Sequence, residues 1–167
     1  MSYMRAPVWG LVAGAVGTLA MDVVWFIRYK RGGGDDNFFA WEFATSLKSW
    51  DNASAPAKVG KLLYEFATGR ELPDSSAAAT TNVMHWAYGV QWGVVFGLSL
   101  GSSHNVRVWH APLFGALVWL ASYVILPIAG FYQPIWKYDL RTLRQDFSAH
   151  LVYGVGVVGT FWKLCRS

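Results

Sequence analysis

The sequence predicts an all-α integral membrane protein, a bundle of four transmembrane helices, and three observations predict it. Of the 167 residues 54% are hydrophobic and only 14% charged, against about 25% charged in an ordinary soluble domain. The apolar residues fall in four blocks, 7–27, 80–101, 111–131 and 147–164. Each approaches the roughly 20 residues a bilayer-spanning helix needs, because in hydrocarbon every backbone N–H and C=O must pair within its own segment. Finally, a single domain over residues 1–167 leaves almost nothing amphipathic to cover four such helices as a soluble core.

The first span, 7–27, runs straight into Arg28, Lys30 and Arg31 and shows no small-x-small cleavage site after its apolar stretch. It reads as an anchor, not a cleaved signal. Gly10 and Gly14 give it a face for close helix approach, since packing between helices in lipid relies on small residues. Asp22 lies near its basic end. Such a carboxylate either pairs with Arg28 or is a buried functional group, and the two readings weigh equally.

The first loop, amphipathic over residues 35–69, is more than a linker. After Gly32-Gly33-Gly34 come Phe38, Phe39, Trp41, Phe43, Leu47 and Trp50, an aromatic stretch suited to the headgroup region. Val59, Leu62, Leu63 and Phe66 recur at helical spacing and predict an amphipathic helix from Ala55 to Thr68, with Lys58, Lys61 and Glu65 on its wet side. Both pieces are expected to lie on the membrane surface or cap the bundle.

The second span carries Gly89, Gly93 and Gly97 at four-residue spacing, and these glycines read as packing devices. It also carries His85, Tyr88, Asn82 and Gln91. The fourth carries His150 and Tyr153, with Asp146 expected to cap its N-terminus, where the helix dipole favours a carboxylate.

An internal repeat links the halves. His85-Trp86-Ala87-Tyr88-Gly89 and His150-Leu151-Val152-Tyr153-Gly154 share H-x-x-Y-G, Asp74 and Asp139 each precede their histidine by eleven residues, and Pro7-x-x-Gly10 matches Pro112-x-x-Gly115. Two hairpins of the same orientation are expected, related by a pseudo-twofold axis along the membrane normal, as in parallel-repeat transporters. The axis would bring His85 and His150 towards each other.

Lys and Arg concentrate in the first and third loops, at Arg28, Lys30, Arg31, Lys48, Lys58, Lys61, Arg70, Lys137, Arg141 and Arg144. The positive-inside rule then puts both long loops in the cytoplasm and both termini outside. The net charge of +4 is scattered over loops without a basic stripe, which argues against nucleic acid and for anionic lipid at the cytoplasmic face. The single Cys165 excludes an intramolecular disulfide and a cysteine-built metal cage. His104 and His110 flank a short loop with no carboxylate or cysteine nearby, and no metal or cofactor is expected.

Ionisable groups at bilayer depth are costly, so Asp22, His85 and His150, with Tyr88 and Tyr153, form the candidate polar intramembrane cluster. It suits a small channel, transporter or proton-responsive protein, because histidine titrates near neutrality. The competing reading is a structural or accessory protein that binds lipid, a second copy or a partner membrane protein through the aromatic loop. No nucleophile stands at a recognisable spacing from a base, so an enzyme is not expected.

The H-W-x-Y-G helix, the 112–130 stretch with its Leu126-Pro127 break and the closing Asp146-x-x-x-His150-x-x-Tyr153-Gly154 resemble the YagU-like bacterial inner-membrane proteins and related multi-pass families of unknown function. The resemblance covers the second to fourth spans and implies a bacterial plasma membrane and a small helical bundle, with no catalytic residues to carry over. Family members can carry several arginines before the first span, where this chain has only Arg5.

Overall fold

The computed structural model describes residues 5–100, 106–128, 130 and 132–166, and these are all-α, with no strand among them. Six α-helices follow in order: α1 (Arg5–Arg31), α2 (Phe38–Glu42), α3 (Ala55–Thr68), α4 (Ala77–Leu100), α5 (His110–Ile128) and α6 (Leu140–Arg166). The four long helices take up the expected apolar blocks, except that α5 ends at Ile128 with Gly130 in a turn (φ 78°), and residues 101, 129 and 131 lie outside the described residues, as does His104. Two of them, α1 and α5, are long and apolar enough to cross a membrane by length and composition.

Local signals account for the ends. The last turn of α1 holds Arg28, Lys30 and Arg31, which complement the negative end of the helix dipole. Asn37 caps α2 by accepting a 2.9 Å hydrogen bond from the Ala40 N–H. Proline in the first turn of α3 and a left-handed Gly69 (φ 65°) behind it fix that helix to the predicted residues. The expected cap on α6 is corrected. Asp139, not Asp146, accepts from the Thr142 N–H at 3.0 Å and the Thr142 hydroxyl at 2.6 Å, and α6 begins at Leu140. The helix outruns its apolar block by two polar turns, which leaves Asp146 on its side.

The long helices form an up-and-down bundle in which α1 packs on α4 and α6, and α5 on α6. The α1–α4 seam is a backbone contact. A Cβ added at Gly10 would lie 2.6 Å from the Gly93 carbonyl oxygen, and one at Gly14 would lie 2.8 Å from Val90 Cα. Gly89 faces Thr18, and Gly97 faces the Ala6 carbonyl, so all five glycines expected at helix contacts are there. The α1–α6 seam depends on Gly17 against Tyr153 and Val157, and on Gly156 against Gly17. The sequence reading did not single out these two.

The α5–α6 hairpin reproduces this only in part. Gly115 and Gly154 pack against each other's helices, yet Gly115 sits beside Leu151, which in the H-x-x-Y-G frame corresponds to Trp86, eight residues short of the Val94 that Gly10 meets. The Pro-x-x-Gly match is therefore out of register by about two turns.

The interior divides along its length. One end is an apolar core with Phe96 against Phe114 (ring centroids 4.9 Å apart) and against Phe161 (5.4 Å). The other end holds the polar groups. Outward faces of α1 and α5 carry exposed Val8, Leu11, Leu19, Leu117, Leu120 and Val124.

The first loop divides too. Phe38 and Trp41 pack on Phe26, with ring centroids 5.2 and 5.5 Å away, while Phe39 and Phe43 point outward. Of the two expected placements, membrane surface or bundle cap, Trp50 takes one against the protein. It is buried and its indole N–H donates to the Leu72 carbonyl at 3.0 Å, because the loop folds back on the start of α4. α3 packs through small residues, Ala57 and Gly60, the latter against Met84 and Thr80. Its large apolar residues Leu62, Leu63 and Phe66 face away from the bundle, Phe66 being 89% exposed.

Candidate functional site

The polar end is assembled from α1, α2 and α4. Asp22, on the last third of α1, is only 3% exposed and its Oδ1 lies 2.8 Å from His85 Nε2 on α4. The approach is possible because Gly14, Gly89 and Gly93 bring the two helices into backbone contact just above. Asp22 Oδ2 is buried and has no hydrogen-bond partner among the described residues. A buried carboxylate oxygen left unpaired costs about 1–3 kcal/mol or more.

Arg28 does not supply the partner. Its guanidinium donates to the Gln145 carbonyl at 2.6 Å and the Ser148 hydroxyl at 2.7 Å, tying α1 to α6. Of the two expected placements, Asp22 takes the buried one, beside a histidine.

The sequence reading missed a third member, Glu42 at the end of α2. Its Oε1 accepts from the Trp86 indole N–H at 3.0 Å. Burial, and next the Asp22 carboxylate beside it, push the Glu42 carboxyl above its ordinary value, while His85 and the Trp86 bond oppose them. One oxygen from each carboxylate and one imidazole nitrogen of His85 lie within 4.8 Å of one another. The expectation of no metal ligands rested on sequence spacing, and these three donors come from separate segments.

Deeper in the bundle, the Tyr88 hydroxyl donates to Ser122 on α5 at 3.0 Å, and Ser122 donates on to the Val118 carbonyl. The Tyr153 hydroxyl donates to the Gly89 carbonyl at 2.6 Å, pinning α6 to α4. Trp92 Nε1, next along α4, is buried with no hydrogen-bond partner among the described residues. Asn82 spends its amide on the Ala78 carbonyl.

His150 takes no part in the Asp22 contact. Its Nδ1 donates to the Asp146 carbonyl at 2.9 Å and lies 3.3 Å from Asp146 Oδ1, one turn back on the same helix. The expected meeting of His85 and His150 is replaced by two separate His–Asp pairs. At the far end of the bundle His110 bonds the Arg107 backbone and belongs to neither.

Comparison with known proteins gives a family but no activity. Residues 48–158 match the model described as a protein of unknown function, DUF1440. Neither a curated protein nor a solved structure matches the chain. The matched stretch takes in α3, α4, α5 and most of α6, with His85, Tyr88, Asp146, His150 and Tyr153, and leaves out Asp22 and Glu42. On that match the chain belongs to DUF1440, a family of proteins of unknown function.

Proposed function

We propose that this chain is a four-span protein of the bacterial plasma membrane, kin to the YagU-like proteins, with a polar chamber that opens to the cytoplasm and responds to protons. The reading is non-enzymatic. It rests chiefly on the Asp22–His85 pair, 2.8 Å apart, with an unpartnered carboxylate oxygen behind it. Protonating the imidazole changes the charge of that pair, and histidine is the side chain most readily recruited for such a change.

The unpartnered Trp92 N–H and the Tyr88–Ser122 bond continue the polar groups inward. Phe96, Phe114 and Phe161 then close the opposite end. A plug of this kind favours a gated transporter or proton sensor over an open channel. Exposed aliphatic side chains around α1 and α5, with Asp22, Thr18 and Ser122 inside, support immersion in lipid. The position of the basic loops supports outside termini and contact with anionic lipid.

The test is proton and cation flux in proteoliposomes over roughly pH 5 to 8, comparing wild type with an Asp22→Asn, His85→Ala double variant. A pH-dependent flux lost in the variant supports the reading, and equal flux in both sinks it. For orientation, Cys165 near the end of α6 serves as a native probe. It should react with a membrane-impermeant maleimide added outside intact cells; reaction only after permeabilisation reverses the topology.

A second reading has its own observation. Leu62, Leu63 and Phe66 form an outward apolar face on α3, which suits lipid, a second copy or a partner membrane protein. It expects Phe66→Ser to abolish membrane-surface or partner binding while leaving any flux unchanged.

A further inference from the structure

We infer that Asp22, Glu42 and His85 form a binding site for a divalent transition-metal ion of the zinc and cobalt type. The inference extends the proposed function and rests on the same Asp22–His85 pair, but it does not depend on flux.

The donor set is the first argument. Three side chains from α1, α2 and α4 offer two carboxylate oxygens and one imidazole nitrogen, all within 4.8 Å of one another. A cation bound at about 2.0–2.2 Å to each needs neighbouring donors roughly 3–4 Å apart. Asp22 and His85 already stand at 2.8 Å. Closing the rest falls to Glu42, a flexible side chain at the end of a five-residue helix.

Asp22 also shows an unmet need of its own, apart from the spacing of the donors. Asp22 is only 3% exposed, and its Oδ2 has no hydrogen-bond partner among the described residues. A cation held by both oxygens of the Asp22 carboxylate gives Oδ2 a ligand and, with His85 as neutral imidazole, takes the place of the Oδ1–Nε2 hydrogen bond. Two carboxylates and a neutral imidazole around a dication also leave no net charge.

The surroundings fit. Trp86 donates to Glu42 Oε1 and orients it, the kind of outer hydrogen bond that supports metal-ligating carboxylates. The His85 side chain is 36% exposed, which leaves a route of entry. Mixed nitrogen and oxygen donors suit zinc, cobalt, manganese or iron, whereas magnesium and calcium favour all-oxygen shells. Three protein ligands leave at least one coordination position open for water or an anion.

The test is titration of tag-free protein in detergent with cobalt chloride, following the visible ligand-field absorption, and then displacement by zinc chloride. One equivalent of cobalt is expected to bind the wild type. Glu42→Gln, a conservative change beside the site, should weaken binding at least tenfold. His85→Ala should do the same, and His110→Ala should bind as wild type does. Circular dichroism and gel filtration check that each variant is folded. The inference is overturned by no ligand-field band in folded wild type, or by Glu42→Gln and His85→Ala both binding like wild type. Flux without cobalt binding removes the metal site and leaves the transport reading intact. Stoichiometric binding without flux does the reverse.

Discussion

In the first hairpin His85 reaches across to a carboxylate on another helix; in the second, His150 turns back to a carboxylate on its own. The two histidines hold the same place in H-x-x-Y-G, and their tyrosines and glycines match. Their surroundings do not. α5 carries no Asp or Glu, so His150 finds nothing across the hairpin, while Thr81 stands where α4 would need a counterpart of Asp146. Register compounds the difference, since the glycine contacts of the second hairpin are displaced along the helices. A duplicated pattern can therefore hold one histidine as a clip on its own helix and pair the other with a buried carboxylate across helices.

The largest effect expected from breaking this comparison comes at Gly93, whose counterpart in the second hairpin is Val158. Copying that valine into the first hairpin as Gly93→Val drives a side chain into the Gly10 and Gly14 backbone. It should destabilise by roughly 3 kcal/mol or more, the upper end of overpacking costs, and thermal unfolding in detergent measures it. A fall in Tm no larger than that of a surface substitution would show the α1–α4 seam to be loose.

Asp22→Ala comes next. It leaves His85 without its partner and should cost roughly 1–3 kcal/mol. Asp146→Ala removes only an i, i+4 neighbour from a histidine that keeps its backbone carbonyl bond, and should cost about 0.2–0.5 kcal/mol. Equal losses in the two variants would erase the distinction between the hairpins.

A separate effect, read by its pH dependence, is at Asp139, exposed at the N-cap of α6. The Thr142 hydroxyl and N–H hold its carboxyl below the ordinary value of 3.8. A lowered folded-state value means the stabilisation is present above the unfolded value and lost as pH falls through the folded one. The Tm difference between wild type and Asp139→Ala should thus be present at neutral pH and vanish in acid. A difference unchanged in acid would assign the cap to something other than the ionised carboxyl.

Much of this was legible in the sequence. The bounds of α3 follow from its apolar spacing, Pro56 and Gly69, and the packing role of Gly10, Gly14, Gly89, Gly93 and Gly97 follows from four-residue spacing on apolar helices. The cap of α6 was not, because its helix was equated with its apolar block, although Asp139-x-x-Thr142 is itself a capping pattern. Glu42 carried no signal at all. It joins Asp22 and His85 only because Phe38 and Trp41 fold the first loop back onto Phe26, and tertiary aromatic packing of that kind leaves no periodicity to read.

The most direct measurement is pH-dependent flux in proteoliposomes with His85→Ala and His150→Ala made separately. The account predicts that His85→Ala abolishes the pH dependence and His150→Ala leaves most of it in place. Loss with His150→Ala while His85→Ala behaves as wild type would contradict it.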